Sequence, residues 1–499
     1  MEAPVPASWK GKRARHLYVG GARANRTRSS KTFCVSNDSL ISSSSEPLSW
    51  PNPDDVEFGW PGAAGSGWSE PRCGAQSVVA HTGSGCSSPP GGKACAADHG
   101  KDTPCCGQKS DPGTKVSPQY QCPADSPTCV DYVFDSHYGH CTGTGPAPPP
   151  GNATGARIVM RQPCFWNLVH RPYQPINTIP PTWVENVKSD LASPGEFYYD
   201  TAGSLIFYYP HAGEDLATLP AILAVEEVLV LHNSSAQHQW VGITFEYATW
   251  LRPMEGLGFV ELQSAACAVC PYGTVNGIGC GAGDTGAVTP GNVVVEAGRD
   301  ISFDNCTFQH LGAYASSAHN GSQGIAWRGC TFQDVSAGSL MLGDINTYNE
   351  TDESLWDLNF TLSDSVVRNI PVEYTGATSV FAAYVQGVRI EHNHIANTSY
   401  SGAFPSKLAC PACTTELCAH SITLSTPAPS GMTIGWGWGR EGSGRGNNHV
   451  IGNLVENPQR ARCCDGGAIY TLGPQRTQPS LFLFLSVQAQ SPASDMEPL

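Results

Sequence analysis

Charge is scarce in this chain of 499 residues: only 14% are Asp, Glu, Lys or Arg, and 28 basic residues face 43 acidic ones. The formal charge of −15 repels phosphate backbones and excludes nucleic acid as an expected partner. Long apolar runs are missing as well. The most apolar stretch near the end, Leu481 to Val487, is far too short to cross a bilayer, so no membrane span is expected. Met1 to Pro6, followed by Lys10, Lys12, Arg13 and Arg15, lacks the apolar core of a signal peptide, which leaves either a cytosolic chain or an incomplete start. Clean pairs of Cys-x-x-Cys are absent between 74 and 155, and the lone Cys267-x-x-Cys270 is weak evidence for a metal beside the commoner disulfide. Neither a metal nor a cofactor is expected.

Turn formers and cysteine are abundant, with 54 Gly, 39 Pro and 20 Cys. Twenty cysteines suit oxidising surroundings, and nine Asn-x-Ser/Thr triplets, at Asn25, Asn37, Asn152, Asn233, Asn305, Asn320, Asn349, Asn359 and Asn397, agree with a secretory route. The expected location is extracellular or at the cell surface.

The chain also repeats itself. Cys306-Thr307-Phe308-Gln309 recurs as Cys330-Thr331-Phe332-Gln333, and Ser365-Val366-Val367, Asn393-His394-Ile395 and Asn453-Leu454-Val455 occupy the same slot. Each copy is a short alternating strand too small to bury a face alone, and stacking the copies solves that problem. The copies are β-branched and rich in Gly and Asn, with no sustained helical spacing, which disfavours helical and leucine-rich repeats. A repeat of roughly 20 to 30 residues fits two or three short strands per turn of a coil, so the expected fold is all-β, a right-handed parallel β-helix. Phe308, Phe332, Val367, Ile395 and Val455 should form one inward ladder, and Cys306, Cys330, Ser365, Asn393 and Asn453 a small-residue ladder beside it. Cys306 and Cys330 should stay reduced.

Composition divides the chain further. Residues 1–72 read as an irregular β segment packed on one end of the solenoid. Residues 73–155, rich in Cys, Gly, Pro and Ser and poor in aliphatics, read as an inserted module held by disulfides and closed by a Pro linker. Residues 156–240 are β-rich, with a hairpin across Asp200 to Ser204 and with Val241 to Phe245 opening the solenoid. The solenoid spans 241–475, interrupted by 265–291 as a loop and by 403–431 as an insert, and 476–499 loses every repeat feature.

His16-Leu17-Tyr18-Val19, Gln162-Pro163-Cys164-Phe165, Pro194 to Asp200, Val372-Glu373-Tyr374, Gly435-Trp436-Gly437-Trp438-Gly439 and Asp465-Gly466-Gly467-Ala468-Ile469-Tyr470, in this order, resemble β-helix proteins of the pectin-lyase-like superfamily. Within it they look most like the branch that includes glycoside hydrolase family 141. The resemblance implies a secreted or cell-surface carbohydrate-active protein, with fucosidase and xylanase activities among relatives. Three departures stand out: relatives carry further solenoid sections before and after the matched segments, 403–431 breaks a strand that should run into Met432, and 476–499 has no counterpart.

Glycosidic cleavage needs two carboxyl groups about 5 Å apart for retention or roughly 6.5 to 9.5 Å for inversion. Asp465, flanked by glycines, is the first candidate, with an Asx-turn cap as its rival reading. Glu373 is the expected partner acid, against a surface charge on a turn. Asp344 is the third, more simply an anchor of the loop that follows it. Trp436 and Trp438 alternate with glycine and could form an exposed stacking platform joined by Tyr374 and Tyr384, against ordinary core packing. Expected partners are therefore a polysaccharide or glycoconjugate. A lyase would need clustered Asp with nearby Arg or Lys, and Arg368, Arg389 and Arg440 are scattered, so lyase ranks below hydrolase. A non-catalytic glycan-binding or structural solenoid ranks between them, because fold alone never establishes function.

Overall fold

The computed structural model describes residues 2–36, 38–61, 69–82, 154–169, 176, 179–269, 286–398, 432–436, 446–456 and 469–471, together with the backbone of strands 133–135, 140–142 and 481–488. It is mostly β, with a single short α-helix, Cys164–Val169, among the described residues. The inserts at 265–291 and 403–431 and the Cys-rich stretch fall largely or wholly outside these residues.

The first part is antiparallel. Strand Arg72–Thr82 pairs with Thr154–Met160, and Thr82 lies opposite Thr154, so the chain leaves for residues 83–153 and returns at neighbouring strand ends. A long excursion here costs little because closing it only joins two ends already held together. Cys73, assigned by composition to the Cys-rich module, instead forms a disulfide with Cys164. The hairpin expected over Asp200 to Ser204 is present: Glu196–Asp200 pairs antiparallel with Leu205–Tyr208.

The second part is parallel throughout its two main sheets. Seven strands pair in the order Val230–Asn233, Gly291–Glu296, Tyr314–His319, Leu340–Leu342, Val380–Ala382, Met432–Ile434 and Ile469–Thr471. This pairing begins at Val230, one strand before the expected opening at Val241. A twelve-stranded sheet carries the repeat itself, with Phe245, Phe308, Phe332, Val367, Ile395 and Val455 in register on successive strands. The rings of Phe308 and Phe332 stack 4.8 Å apart and 9° from parallel, and both side chains are fully buried. The residues two places earlier form the second expected ladder, and its upper half is polar. The amide of Cys330 donates to Ser365 Oγ, that of Ser365 to Asn393 Oδ1, and that of Asn393 to Asn453 Oδ1, at 2.9 to 3.0 Å. These buried side chains satisfy backbone donors where the strand bends, which a purely apolar ladder could not do. Cys306 and Cys330 are buried free thiols.

Asparagine and its neighbours have a second use. Tyr247, His310, Asp334, Asn369 and Asn397 occupy one column two places after the inward ladder, each with a positive φ between 49° and 64°. Asn, Asp and His tolerate that left-handed conformation better than other side chains, so the column turns the chain without glycine.

One expectation needs correction. The N-terminal section lies along the flank of the parallel sheets and not at an end, since His16 reaches Thr249 and Arg23 reaches Asp334. Within the final segment, read as losing every repeat feature, Leu481–Gln488 pairs in parallel with His449–Glu456. Outward from the seven-stranded sheet lies a further apolar layer that includes Trp250, Phe259, Met341, Tyr374, Phe381, Tyr384 and Trp436.

Candidate functional site

Glu373 follows the Ile370-Pro371 turn, and the amides of Glu373 and Tyr374 both donate to the carbonyl of Ser336. This places the carboxylate against the antiparallel section. Arg15 Nη2 lies 2.7 Å and Arg72 Nη1 3.1 Å from Oε1, and His16 Nε2 lies 2.8 Å from Oε2. Arg72 also donates to the Glu373 carbonyl. Behind this layer Arg15 forks onto Glu57 at 2.8 and 2.9 Å, Arg26 pairs with Glu57 and Glu185, Arg28 with Glu185, and Arg72 with Glu70. Four guanidiniums thus face four carboxylates, and the side chains of Arg15, Arg72 and Glu57 are fully buried. Buried charges survive only when paired and hydrogen-bonded to this degree.

The electrostatics decide what Glu373 can do. Burial would raise its carboxyl, but Arg15, then His16 and Arg72, outweigh burial and hold it well below the usual carboxylate range. Glu57 is brought down to about 2 against the same burial, mainly by Arg15 and Arg26. Glu373 is therefore ionised across the working pH range with both oxygens engaged, so it cannot donate a proton to a leaving group. Tyr374 lies on the same network: Arg15 donates to its hydroxyl, and its ring packs edge-on to Trp250 at 5.2 Å.

The other sequence candidates lie elsewhere. Trp436 is buried against Phe381, with ring centroids 5.6 Å apart, inside the apolar layer that also holds Tyr374 and Tyr384. The structure brings these three aromatic residues together, but as core and not as an exposed platform. The physical reason is that the outward side of the seven-stranded sheet is covered, and that Gly435, at φ 92°, turns the chain so that Trp436 tucks into the cover. Asp344 accepts from the amide and side chain of Asn346 and from the Thr347 hydroxyl through its carbonyl, an Asx turn that anchors the loop and takes no part in the charge network. Asp465 and Trp438 lie outside the described residues.

Arg15, Arg72, Glu57, Glu70 and Glu185 were not singled out from the sequence. A signal was present: Glu57-Phe58-Gly59, Arg72-Cys73-Gly74 and Trp183-Val184-Glu185 put single charges into otherwise apolar strands of a charge-poor chain. Two of the motifs behind the resemblance also touch here, His16 from one and Glu373 from another.

His16 supplies a pH dependence. Its Nδ1 lies 2.9 Å from the Thr249 hydroxyl and its Nε2 points to Glu373, an arrangement met by a neutral ring carrying its proton on Nε2. Burial is the largest influence and pushes its pKa down to about 4 despite Glu373. The unfolded chain then binds this proton more readily than the folded one, so stability should fall as pH drops from about 6.5 to about 4, by up to roughly 3 kcal/mol. The Glu373 contribution is lost at lower pH, below the ordinary carboxylate range. Urea midpoints across pH 4 to 7 should slope in the wild type and flatten in His16→Gln; equal slopes would remove His16 as the cause.

No family model matches the sequence, and no curated protein matches it. A solved structure named "Glycoside hydrolase" superposes on 98% of this chain and 71% of its own, with a TM-score of 0.62 at 19% sequence identity. The chain therefore has a glycoside hydrolase-like fold.

Proposed function

We propose that this chain is a carbohydrate-active right-handed parallel β-helix protein of the pectin-lyase-like superfamily, of the glycoside hydrolase family 141 type, acting on a cell-wall or extracellular polysaccharide. The structural likeness over 98% of the chain carries this reading. The in-register parallel pairing supports the β-helix. A secreted glycoprotein is supported by the sequon residues Asn25, Asn233, Asn305, Asn320, Asn349 and Asn359, all exposed, and by the Cys73–Cys164 disulfide. Residues 83–153, between strands Arg72–Thr82 and Thr154–Met160, are read as the inserted module and 403–431 as an insert.

Asp465 remains the acid proposed for catalysis. With Glu373 committed to Arg15, Arg72 and His16, its role is to hold the flank on which the site is built, and a second acid must come from elsewhere. Incubating the full chain with a panel of neutral and acidic polysaccharides should release reducing sugar. Asp465→Asn should lower the rate by roughly 100-fold or more, as for loss of a general acid, while binding persists.

A second reading, a glycan-binding protein without catalysis, is favoured by the ionised and fully engaged state of Glu373. Binding without release in the same experiment would select it. Neither binding nor release would leave a structural solenoid.

A further inference from the structure

On the open side of the twelve-stranded sheet, Glu246, Gln309, Gln333 and Arg368 stand at one register position on consecutive strands. Gln309 Nε2 donates to Glu246 at 2.7 Å, Gln333 Nε2 donates to Gln309 at 2.8 Å, and Arg368 Nη2 donates to Gln333 at 2.9 Å. With strands about 4.8 Å apart, the row extends roughly 14 Å along the sheet. Beside it lies the left-handed column, where Tyr247 stacks on His310 with centroids 5.1 Å apart and planes 15° apart. His310 Nδ1 is held by Asp334 at 2.5 Å, leaving Nε2 without a partner among the described residues. Arg23, on Asp334, and Tyr18, 5.2 Å from the Tyr247 ring, rise from the antiparallel section as a wall along one side. The Tyr18 side chain is fully buried, and its hydroxyl has no hydrogen-bond partner.

Tyr247 is the informative residue. At φ 64° it holds a bulky aromatic side chain in the conformation that its column otherwise gives to His, Asp and Asn. Backbone strain of this kind persists where the side chain has a use. Its ring is part-exposed beside a row of planar amide, carboxylate and guanidinium groups. A pyranose presents an apolar C–H face to such a ring and pairs of adjacent hydroxyls to such groups.

We propose that this strip binds a neutral, extended polysaccharide running across the strands, with one sugar seated on Tyr247 and its neighbours along Gln309, Gln333 and Arg368. The proposal rests on the carbohydrate-active reading and names the ligand class and the surface. Neutrality follows from the charges: Asp334 is matched by Arg23 and His310, Glu246 accepts from Gln309, and Arg368 is the one outward cation in the row. The net charge of −15 also repels polyuronates.

The test is affinity electrophoresis of the full chain in gels containing arabinoxylan or polygalacturonate, with unfolding midpoints measured in parallel. The wild type should be retarded by arabinoxylan. Tyr247→Asn and Gln333→Ala should each weaken retardation at least tenfold, and Arg389→Ala, on another outward row, should not. Because Asn suits the left-handed backbone, Tyr247→Asn should unfold no more easily than the wild type, which separates binding from packing. Undiminished retardation of both variants would overturn the strip and leave the carbohydrate reading standing. Retardation by polygalacturonate alone would overturn the neutral ligand. No retardation by either would overturn the strip, while sugar release sensitive to Asp465→Asn would still uphold the enzymatic reading.

Discussion

Glu373→Ala is expected to destabilise the protein by about 3 kcal/mol, the low end of the range for removing one partner of a buried ion pair. The low end applies because Arg15 keeps its fork on Glu57 and Arg72 keeps Glu70, so neither cation is left alone. Glu373→Gln, which retains shape and some hydrogen bonding, should cost less. The pair of variants separates two roles. If Glu373 anchors the flank, the urea midpoint and the near-ultraviolet signal from Trp250 and Tyr374 change in Glu373→Ala, and any activity falls in proportion to the folded fraction. A stable Glu373→Gln protein that binds glycan and releases nothing would instead return Glu373 to the chemistry.

Much of the architecture was legible because stacking imposes a register. Cys-Thr-Phe-Gln repeated at 306 and 330 needs Phe308 over Phe332, and the structure has them there. The polar half of the neighbouring ladder was read as merely small, since a sequence shows that Asn393 and Asn453 align but not that their amides reach backbone donors one strand away. The site was less legible. Alternating Gly and Trp at 435–438 suggested an exposed face, which is wrong for Trp436, because the outward side of one sheet is covered by residues from distant segments such as Trp250 and Phe259. Glu373 was singled out by its motif, and its partners Arg15 and Arg72 lie 358 and 301 positions away. Motif density marked the junction between antiparallel and parallel sections, where many residues must fit at once.

Phe332→Ala should cost about 3 to 5 kcal/mol, as for other buried aromatic truncations, and the column argues for the upper part of that range. Phe245 lies 5.0 Å from Phe308, Phe308 lies 4.8 Å from Phe332, and Val367 follows in register on the next strand. Filling the space left by the ring would require neighbouring strands to approach, and their backbone hydrogen bonds fix that spacing, so the cavity persists. The loss then contains both the transfer of the ring and the void. Phe332→Leu, which keeps most of the volume, should cost roughly 1.5 kcal/mol or less. Substituting outward-facing Thr331 with Ser on the same strand should stay within about 0.5 kcal/mol. Chemical unfolding of the three variants tests the ordering. A Phe332→Ala loss below about 1 kcal/mol would mean that the ladder is not close-packed, and the stacked register of Phe245, Phe308, Phe332 and Val367 would have to be abandoned.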